Sequence, residues 1–406
     1  MTLFHSETEM IEMSTIREPQ RLLPVHSEWD VLVVGGGFAG ISAALAAARE
    51  GAQVCLLERE WLLGGLGTLG MISIFLPLCD GMGRQVIAGL GEEWMRLALQ
   101  DAIPDSHIPY PAPWLDGGCP EERAAVRYQV EYNPSGFALR AEKRLKACGV
   151  TLRYGTLLCA AATDGDRITH AIVEDKGGRS ALAAKAFVDA TGDADLCRMC
   201  GAPTEIYRPG NALAAWHALC GGSGYRLQMM GTADPPRGEG ASPGPAQPRY
   251  TGLDGDDLNR MVQRSHASIL NHLADGRTLA QLPTIPQVRM TRRLSGRITL
   301  RDEPDHPSFP DSIGMTGSWR KRGPVYELPL GALCCEEISN LFVAGRCISV
   351  DDDLWDLTRV IPACTVTGQA AGTAAALLSQ SGRLEVGALQ RSLRRAGALL
   401  HRNEAR

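Results

Sequence analysis

Two short apolar runs near the start of the chain are separated by a helical pattern. Residues 30–34 form an apolar, β-branched run after one aspartate, which predicts a strand buried on both faces. Residues 41–50 are rich in alanine and predict a helix that ends at Gly51. Residues 53–58 predict a second buried strand. The pattern therefore predicts a strand, a glycine turn, a helix and a strand, which together form one βαβ unit.

The rest of the chain mixes helical and strand patterns. The segment 221–255 is rich in glycine and proline and predicts an irregular excursion. Three short apolar runs separated by turn residues predict a small β-meander at 157–162, 168–174 and 184–189. The other predicted elements are helices at 136–148, 256–275 and 362–379 and strands at 150–154 and 340–345.

Composition departs from the average in its glycine content. Glycine accounts for 45 of 406 residues, above the usual ~7%, whereas the apolar fraction of 44% and the charged fraction of 21% are ordinary for a globular protein. The 41 basic and 46 acidic residues leave a net charge of −5, which argues against a polybasic surface for nucleic acid. The glycines therefore indicate places where the backbone turns or approaches something closely.

Features that report on location indicate a cytoplasmic protein. The twelve cysteines lie mostly in apolar runs, which is typical of reduced, buried thiols and not of a disulfide framework. Residues 1–28 contain several glutamates and no long apolar core, so we interpret them as a flexible leader and not as a targeting peptide. There is no run of eighteen apolar residues, and we expect no membrane-spanning helix.

The strongest motif is Gly35-x-Gly37-x-x-Gly40, between the first predicted strand and helix. In such a motif the first glycine permits the tight turn, the second lets the backbone approach a pyrophosphate, and the third lets helix and strand pack closely. The helix N-terminus adds free N–H groups and partial positive charge. Glu58 ends the second strand, where a carboxylate accepts hydrogen bonds from ribose hydroxyls. These residues predict a dinucleotide site for FAD or NAD, in preference to NADP.

Further glycine-containing stretches lie at 63–70, 188–193, 340–346 and 368–372. With them the sequence resembles the FAD-dependent oxidoreductases that share a glutathione-reductase-type flavin domain, a family that includes the flavin subunit of heterodisulfide reductase. It is more distantly similar to the fumarate reductase and thiazole-synthase flavoproteins. The resemblance covers roughly half of the chain, at 28–80, 185–203, 286–300 and 325–378.

This resemblance implies an α/β fold with FAD as the cofactor. The expected architecture is a Rossmann-like FAD-binding domain (a parallel sheet, helices and a β-meander) with an inserted α+β substrate or cap domain. We assign residues 29–80, 125–203 and 328–406 to the discontinuous FAD-binding domain, and residues 81–124 and 204–327 to the cap. FAD is expected to bind without a covalent bond, although Cys347 and Cys364 flank turns expected at the flavin.

The resemblance also implies which residues contact FAD. Positions expected at the pyrophosphate and the AMP half are Gly35, Gly37, Phe38, Ala39, Gly40, Glu58, Arg59, Leu158, Ala190, Thr191 and Gly192. Positions expected at the ribityl chain and the flavin are Gly64, Gly65, Thr68, Gly345, Arg346 and Gly368.

The helix that begins near Pro362 is expected to point its N-terminus at the flavin. Negative charge develops around N1 and O2 when flavin accepts a hydride at N5, and a helix N-terminus stabilises it. Proline suits the first helical turn, and Gly368 and Gly372 let the helix pass close to the cofactor or to another backbone. A helix that packs through small residues for stability alone is the alternative, and the two interpretations are compatible.

Residues that could act on a substrate are few. Arg292 and Arg359 are the catalytic candidates, because the guanidinium fork suits carboxylates, with a surface or ion-paired arginine as the alternative for each. Three histidines are possible proton acceptors or structural residues: His217, His266 and His272. We expect no metal site, because the aspartates at 351–353 are typical of a solvated loop.

The chain contains no second GxGxxG motif after a buried strand, so we expect no dedicated nicotinamide domain. We predict an enzyme that transfers a hydride between a small organic substrate and flavin N5 and exchanges electrons with oxygen, a quinone or a carrier protein. The alternatives are a flavin-binding electron-transfer subunit, a reductase fed by a separate donor protein, and a disulfide reductase that uses Cys197-x-x-Cys200. An oligomer is possible.

Overall fold

The computed structural model describes residues 15–104, 106–221, 224–230, 248–273 and 277–406. Most of the predicted leader and much of the predicted glycine- and proline-rich excursion lie outside these residues. Residues 25–28, which we assigned to the leader, belong to the first strand, which begins at Val25. This longer strand forms because its N-terminal half pairs with residues 181–184 of a neighbouring strand.

The helices and strands of the described residues are as follows. The helices are α1 (Phe38–Arg49), α2 (Leu90–Leu99), α3 (Ala112–Leu115), α4 (Pro120–Ala125), α5 (Pro134–Ala147), α6 (Asp195–Met199), α7 (Gly255–Leu273), α8 (Trp355–Thr358), α9 (Ile361–Ser381) and α10 (Val386–Arg395). The strands are β1 (Val25–Val34), β2 (Val54–Leu57), β3 (Ile74–Phe75), β4 (Val130–Glu131), β5 (Thr151–Arg153), β6 (Leu157–Asp164), β7 (Arg167–Asp175), β8 (Gly178–Asp189), β9 (Thr204–Ile206), β10 (Ala215–Gly221), β11 (Gly224–Met230), β12 (Thr278–Gln281), β13 (Arg292–Leu294), β14 (Ser312–Gly317), β15 (Val325–Pro329) and β16 (Leu341–Val343).

The main sheet has the strand order β5-β2-β1-β8-β7-β6, and β16 also pairs with β8. The pairs among β5, β2, β1, β8 and β16 are parallel, whereas β6, β7 and β8 form an antiparallel meander. Strand β8 therefore belongs to both parts, which joins the predicted meander to the predicted parallel sheet. The α/β fold class expected from the sequence is confirmed.

Strand β1 shows why its apolar run is uninterrupted. Val31 and Val33 pack against one face of the sheet with α1, while Leu32 and Val34 pack against the other face with the meander side. Since all four side chains are buried, both faces of the strand require apolar residues.

Helices α1 and α9 cross in close contact over the first face of the sheet. A Cβ atom on Gly368 would lie 2.2 Å from the Ala39 carbonyl oxygen, and one on Gly372 would lie 2.0 Å from the Ala43 carbonyl oxygen. These two glycines therefore allow backbone-to-backbone packing. By length and composition α9 could span a membrane, but 89% of its apolar window is buried inside the protein, as in the core helix of a globular domain.

A smaller sheet with the order β11-β10-β12 packs beside α7 in the region assigned to the cap. The start of the predicted excursion is therefore a strand, because β11 pairs with β10 and places Leu227 against Met71 and Ala218. Helix α2, also assigned to the cap, buries Trp94 and Met95 in the main core. The domain boundaries stay predictions.

Candidate functional site

A cleft of about 1320 Å³, including its open mouth, lies at the carboxyl ends of the parallel strands β1, β2, β8 and β16. Residues that directly follow these strands line it, among them Gly35, Glu58, Ala190 and Ala344. In open α/β sheets, ligands bind in the crevice beyond the strand carboxyl ends. The cleft therefore lies where this topology places a ligand.

The three motif glycines have three different physical roles. Gly35 turns the chain with a φ of +100°, and a Cβ there would lie 2.5 Å from the Ala190 carbonyl oxygen. Gly37 lines the cleft, and a Cβ there would meet no atom within 4 Å. A Cβ on Gly40 would lie 1.7 Å from the Gly35 carbonyl oxygen. Turn, open approach and close packing are the roles that a dinucleotide-binding turn requires.

Helix α1 begins at this turn with its N-terminus on the cleft. Phe38 and Ala39, its first two residues, line the cleft. Gly37, the N-cap residue of the helix, has no side chain that could accept a hydrogen bond from the first turn, and the first turn contains no acidic residue. The N–H groups of the first turn have no partner within the helix, so they and the helix dipole favour an anion there.

Glu58 braces the glycine turn from the end of β2. Its Oε2 accepts a hydrogen bond from the Gly36 N–H at 2.8 Å, and its Oε1 accepts one from the Glu60 N–H at 2.9 Å. Burial raises the pKa of the Glu58 carboxyl. Since each carboxylate oxygen has two lone pairs, Glu58 keeps acceptor capacity toward the cleft that it lines.

The turn after β8 is held by buried carboxylate contacts. Asp189 accepts hydrogen bonds from the N–H groups of Thr191 and Cys197. Asp193 accepts from the Thr291 hydroxyl at 2.7 Å and from the Arg346 guanidinium at 3.2 Å. These bonds join the β8 turn to the turn after β16 and to the segment before β13.

The first turn of α9 lines the opposite part of the cleft. Ile361 and Cys364 border the cleft, and the helix has no acidic residue in its first turn. Gly345, with a φ of +81°, donates its N–H to the Thr367 hydroxyl at 3.0 Å, which places the turn after β16 beside α9. The cleft therefore contacts the N-termini of two helices, α1 and α9.

Most residues predicted to contact the cofactor line this one cleft. They are Gly35, Gly37, Phe38, Ala39, Glu58, Arg59, Gly64, Gly65, Leu158, Ala190, Thr191, Gly192, Gly345 and Arg346. The catalytic candidate Arg359 also lines it. Their individual roles toward the cofactor stay predictions.

Three predicted cofactor contacts and one predicted catalytic residue do not line the cleft. Gly40 and Gly368 pack against backbone carbonyls, as described above. The Thr68 hydroxyl donates to the Leu63 carbonyl at 2.5 Å, so Thr68 supports the glycine turn from behind. Arg292 is buried and donates to the Asp193 carbonyl at 3.2 Å, so it supports the β8 turn. In the structure all four residues contact the protein's own backbone, and their roles toward the cofactor and the substrate stay predictions.

Sequence reasoning missed the outer wall of the cleft. This wall comes from the region assigned to the cap and consists of Gly252, Leu258, Ile285, Pro286 and Val288. The missed polar residues at the inner side are Glu60, Thr156, Asp193 and Asp195. Asp193 and Asp195 could have been found from their position directly after the predicted glycine turn at 190–192. The cap residues carry no motif.

The other candidates lie away from the cleft. The His217 Nε2 lies 3.3 Å from the His272 Nδ1, and burial lowers the pKa of His217. Neither histidine lines the cleft, and His266 lines a second cavity in the cap. Within the described residues, no cluster of three or more histidine, cysteine or acidic side chains could hold a metal ion.

Cys197 and Cys200 are buried and do not line the cleft. Burial raises the pKa of Cys197 well above its usual value and that of Cys200 to about 11. Since the thiolate is the reactive form, this environment favours structural cysteines over a redox dithiol.

We expect brief iodoacetamide treatment of the native protein at neutral pH to leave Cys197 and Cys200 unmodified, because both thiols are buried and protonated. Cys119 and Cys220, which are exposed, are the matched controls and should be alkylated. Peptide mapping by mass spectrometry after the reaction measures this. Alkylation of Cys197 at the rate of Cys119 would instead support a redox dithiol.

We expect Asp195 to make the stability of the protein depend on pH. Burial, together with the charges of Asp193 and Asp189, raises the pKa of its carboxyl to about 6. In the unfolded chain the pKa is about 3.9, so between these values the folded state binds more protons. This group's contribution to the free energy of unfolding therefore decreases as the pH rises from about 4 to about 6.

Asp195→Asn should remove this pH dependence. Because the side chain is 40% exposed and lies 3.4 Å from Arg292, we expect the variant to gain only about 1 kcal/mol relative to the wild type between pH 4 and pH 7. Urea unfolding at both pH values measures the change. Asp164→Asn in the exposed β6–β7 turn is the control for the loss of a carboxylate. The prediction would be contradicted if the free energies of unfolding of the variant and the wild type differed by the same amount at pH 4 and at pH 7.

Comparison with known proteins identifies a family model that matches most of the chain and curated relatives that match half of it. The family model described as FAD dependent oxidoreductase matches residues 30–235 and 255–393. Two curated relatives, the uncharacterized proteins Mb0921c of Mycobacterium bovis and MT0921 of Mycobacterium tuberculosis, are each 28% identical over 247 residues. That alignment covers 51% of this chain and 45% of each relative, so the chain spans less than half the length of these proteins.

Solved structures resemble this chain at low sequence identity. The p-nitrophenol 4-monooxygenase PnpA from Pseudomonas putida DLL-E4 is 12% identical, with a TM-score of 0.51 over 91% of this chain and 84% of that one. A geranylgeranyl bacteriochlorophyll reductase-like protein from Thermoplasma acidophilum is 13% identical, with a TM-score of 0.46 over 91% of this chain and 83% of that one. The similarity to PnpA is evidence of a shared fold and not of a shared activity.

Proposed function

The chain belongs to the FAD dependent oxidoreductase family, and from this premise we propose that it is an enzyme that transfers a hydride between a small organic substrate and FAD bound in the cleft. One observation carries the proposal. A single cleft contacts the glycine turn at the N-terminus of α1, the carboxylate of Glu58 and the N-terminus of α9. These are the groups needed along an extended dinucleotide.

The residues of the cleft fit FAD. The open face of Gly37 is a place that a Cβ would fill, and it lies beside N–H groups of α1 that favour a pyrophosphate. Glu58 would accept hydrogen bonds from the ribose of the AMP half. Leu158, a residue of β6, also lines the cleft. Gly64, Gly65 and Gly345 would hold the other half.

When bound, FAD supplies an isoalloxazine ring that takes up or releases a hydride at N5. The N-terminus of α9 brings partial positive charge to the cleft without an acidic residue to cancel it. This positive end would favour negative charge on a bound group. Burial raises the pKa of the Cys364 thiol to about 12, and the thiol donates to the Arg359 carbonyl at 3.2 Å, so Cys364 is a protonated thiol that does not favour a covalent bond to the cofactor.

Arg359 is the residue we propose to orient a polar group of the substrate. It lines the cleft at the C-terminal end of α8, two residues before α9 begins. Its guanidinium always carries a positive charge and offers planar, forked donors. Arg346 also lines the cleft, and it contacts Asp193 at 3.2 Å and the Arg289 carbonyl at 3.1 Å.

The test is reduction of the FAD-loaded protein by candidate substrates. The purified protein, reconstituted with FAD, is mixed under anaerobic conditions with a metabolite library while the visible flavin absorbance is followed. Bleaching by a small molecule supports the proposal. If only a partner protein reduces the flavin, the chain is an electron-transfer subunit or a reductase fed by that partner. If the protein binds no FAD, the proposed function is wrong.

A further inference from the structure

A second cavity of about 750 Å³, including its open mouth, lies in the region assigned to the cap, beside the cofactor cleft. One side is formed by α7 through Met261, Val262, Ser265 and His266, and the other by residues 282–287. We refer to it as the cap cavity. It shares two wall residues, Ile285 and Pro286, with the cofactor cleft. The two spaces are therefore direct neighbours on either side of one short segment.

The wall between them is fixed to the FAD-binding part of the chain. The Thr284 N–H donates to the Leu69 carbonyl at 2.9 Å, and the Gln287 side chain donates to the Gly70 carbonyl at 2.6 Å. Gln287 also bonds both the N–H and the carbonyl of Trp216, at 2.8 and 2.9 Å. Leu69 and Gly70 follow the glycine turn that lines the cleft, so the cap cavity has a defined position relative to the cofactor.

The lining of the cap cavity selects against charge. The apolar lining residues are Ala214, Met261, Val262, Leu282, Pro283, Ile285 and Pro286. The polar ones, Ser265, His266, Thr284 and Gln287, include no aspartate, glutamate, lysine or arginine. A charged group would lose its hydration there and would find no aspartate, glutamate, lysine or arginine as a partner. An apolar molecule with one hydroxyl or carbonyl group would lose less hydration. Small-molecule sites typically combine such an apolar lining with a few polar groups.

We propose that the cap cavity is a substrate chamber that takes the uncharged, largely apolar part of a small molecule and holds it against Ile285 and Pro286, while the reacting end of that molecule lies in the neighbouring cofactor cleft. This inference rests on the proposed function, because it identifies the substrate class of the same enzyme. Met261 is buried and packs with Val288 of the cleft wall, so the floor of the chamber and the wall of the cleft belong to one apolar cluster. His266 is exposed and lies at the mouth, where a polar end of the molecule would meet water.

The test is calorimetric titration of the purified protein, with and without FAD, using benzyl alcohol, cyclohexanol and 1-octanol as neutral probes. Benzoate and benzylamine are the matched charged probes. We expect saturable binding of at least one neutral probe and at least tenfold weaker binding of both charged ones. The proposal would be wrong if the charged probes bound as tightly as the neutral ones, or if no neutral probe bound.

Two variants locate the binding. Val262→Trp and Ser265→Leu add side-chain volume to the cavity and should each weaken neutral-probe binding at least tenfold, with unchanged FAD content. Gln263→Trp, which changes the neighbouring exposed position on α7, is the control and should bind like the wild type. If either folded cavity variant binds the probe as tightly as the wild type does, the proposal of a substrate chamber is wrong, and the proposed flavin-dependent function is unaffected. If the wild type binds no FAD, the proposed function is wrong. The titration without FAD would still test whether the cap cavity binds neutral probes.

Discussion

Gly37→Val should give a folded protein that no longer retains FAD. Gly37 has a φ of −66°, which valine adopts without strain, and a Cβ there meets no atom within 4 Å. The free energy of unfolding should therefore fall by no more than about 1 kcal/mol, the usual cost of a poor residue at a helix cap. The new side chain would occupy the space beside the α1 N-terminus where the pyrophosphate must approach.

We expect the affinity for FAD to fall at least 100-fold, which corresponds to about 2.7 kcal/mol. The FAD-to-protein ratio after gel filtration and a urea unfolding curve measure the two effects separately. Gly255→Val at the start of α7 is the matched control, because a Cβ there also meets open space but Gly255 does not line the cleft. Stoichiometric FAD on the folded Gly37→Val variant would show that the pyrophosphate does not pass this turn.

Gly372→Ala should strongly destabilise the fold. Alanine forms helices better than glycine by about 1 kcal/mol, so helix propensity alone predicts a more stable protein. The new Cβ, however, would lie 2.0 Å from the Ala43 carbonyl oxygen, and both atoms belong to buried helices that cannot move apart locally. Overpacking of this kind costs about 1–3 kcal/mol or more. The steric effect should win, and we expect a net loss of at least about 2 kcal/mol.

The matched control is Gly387→Ala in α10. Its Cβ would meet only the flexible Arg391 guanidinium at 3.4 Å, so helix propensity should act alone and leave the protein as stable as the wild type or more so. Urea unfolding of the three proteins under one condition gives the comparison. If Gly372→Ala is as stable as Gly387→Ala, the close α1–α9 contact is not needed for the fold.

The glycine turn was predictable because its requirements are local. The positive φ at Gly35 and the close packing of Gly40 against the Gly35 carbonyl each favour glycine, so these positions are visible in the sequence at a fixed spacing. The same holds for the buried run of β1, whose two covered faces leave no polar position. Composition and spacing could not show that Arg292 lies behind the β8 turn while Arg359 lines the cleft, because both are arginines in similar sequence contexts.

The sequence by itself determined the α/β fold and the dinucleotide turn, since these depend on backbone geometry that only certain residues permit, and its resemblance to a known family implied FAD as the cofactor. Only the tertiary structure decided which predicted residues reach the cleft, that Gly368 serves helix packing, and that Ile285 and Pro286 form the wall shared by the two cavities. That wall consists of ordinary apolar residues whose position depends on contacts with distant parts of the chain. Such long-range contacts leave no periodic or spaced pattern in the sequence.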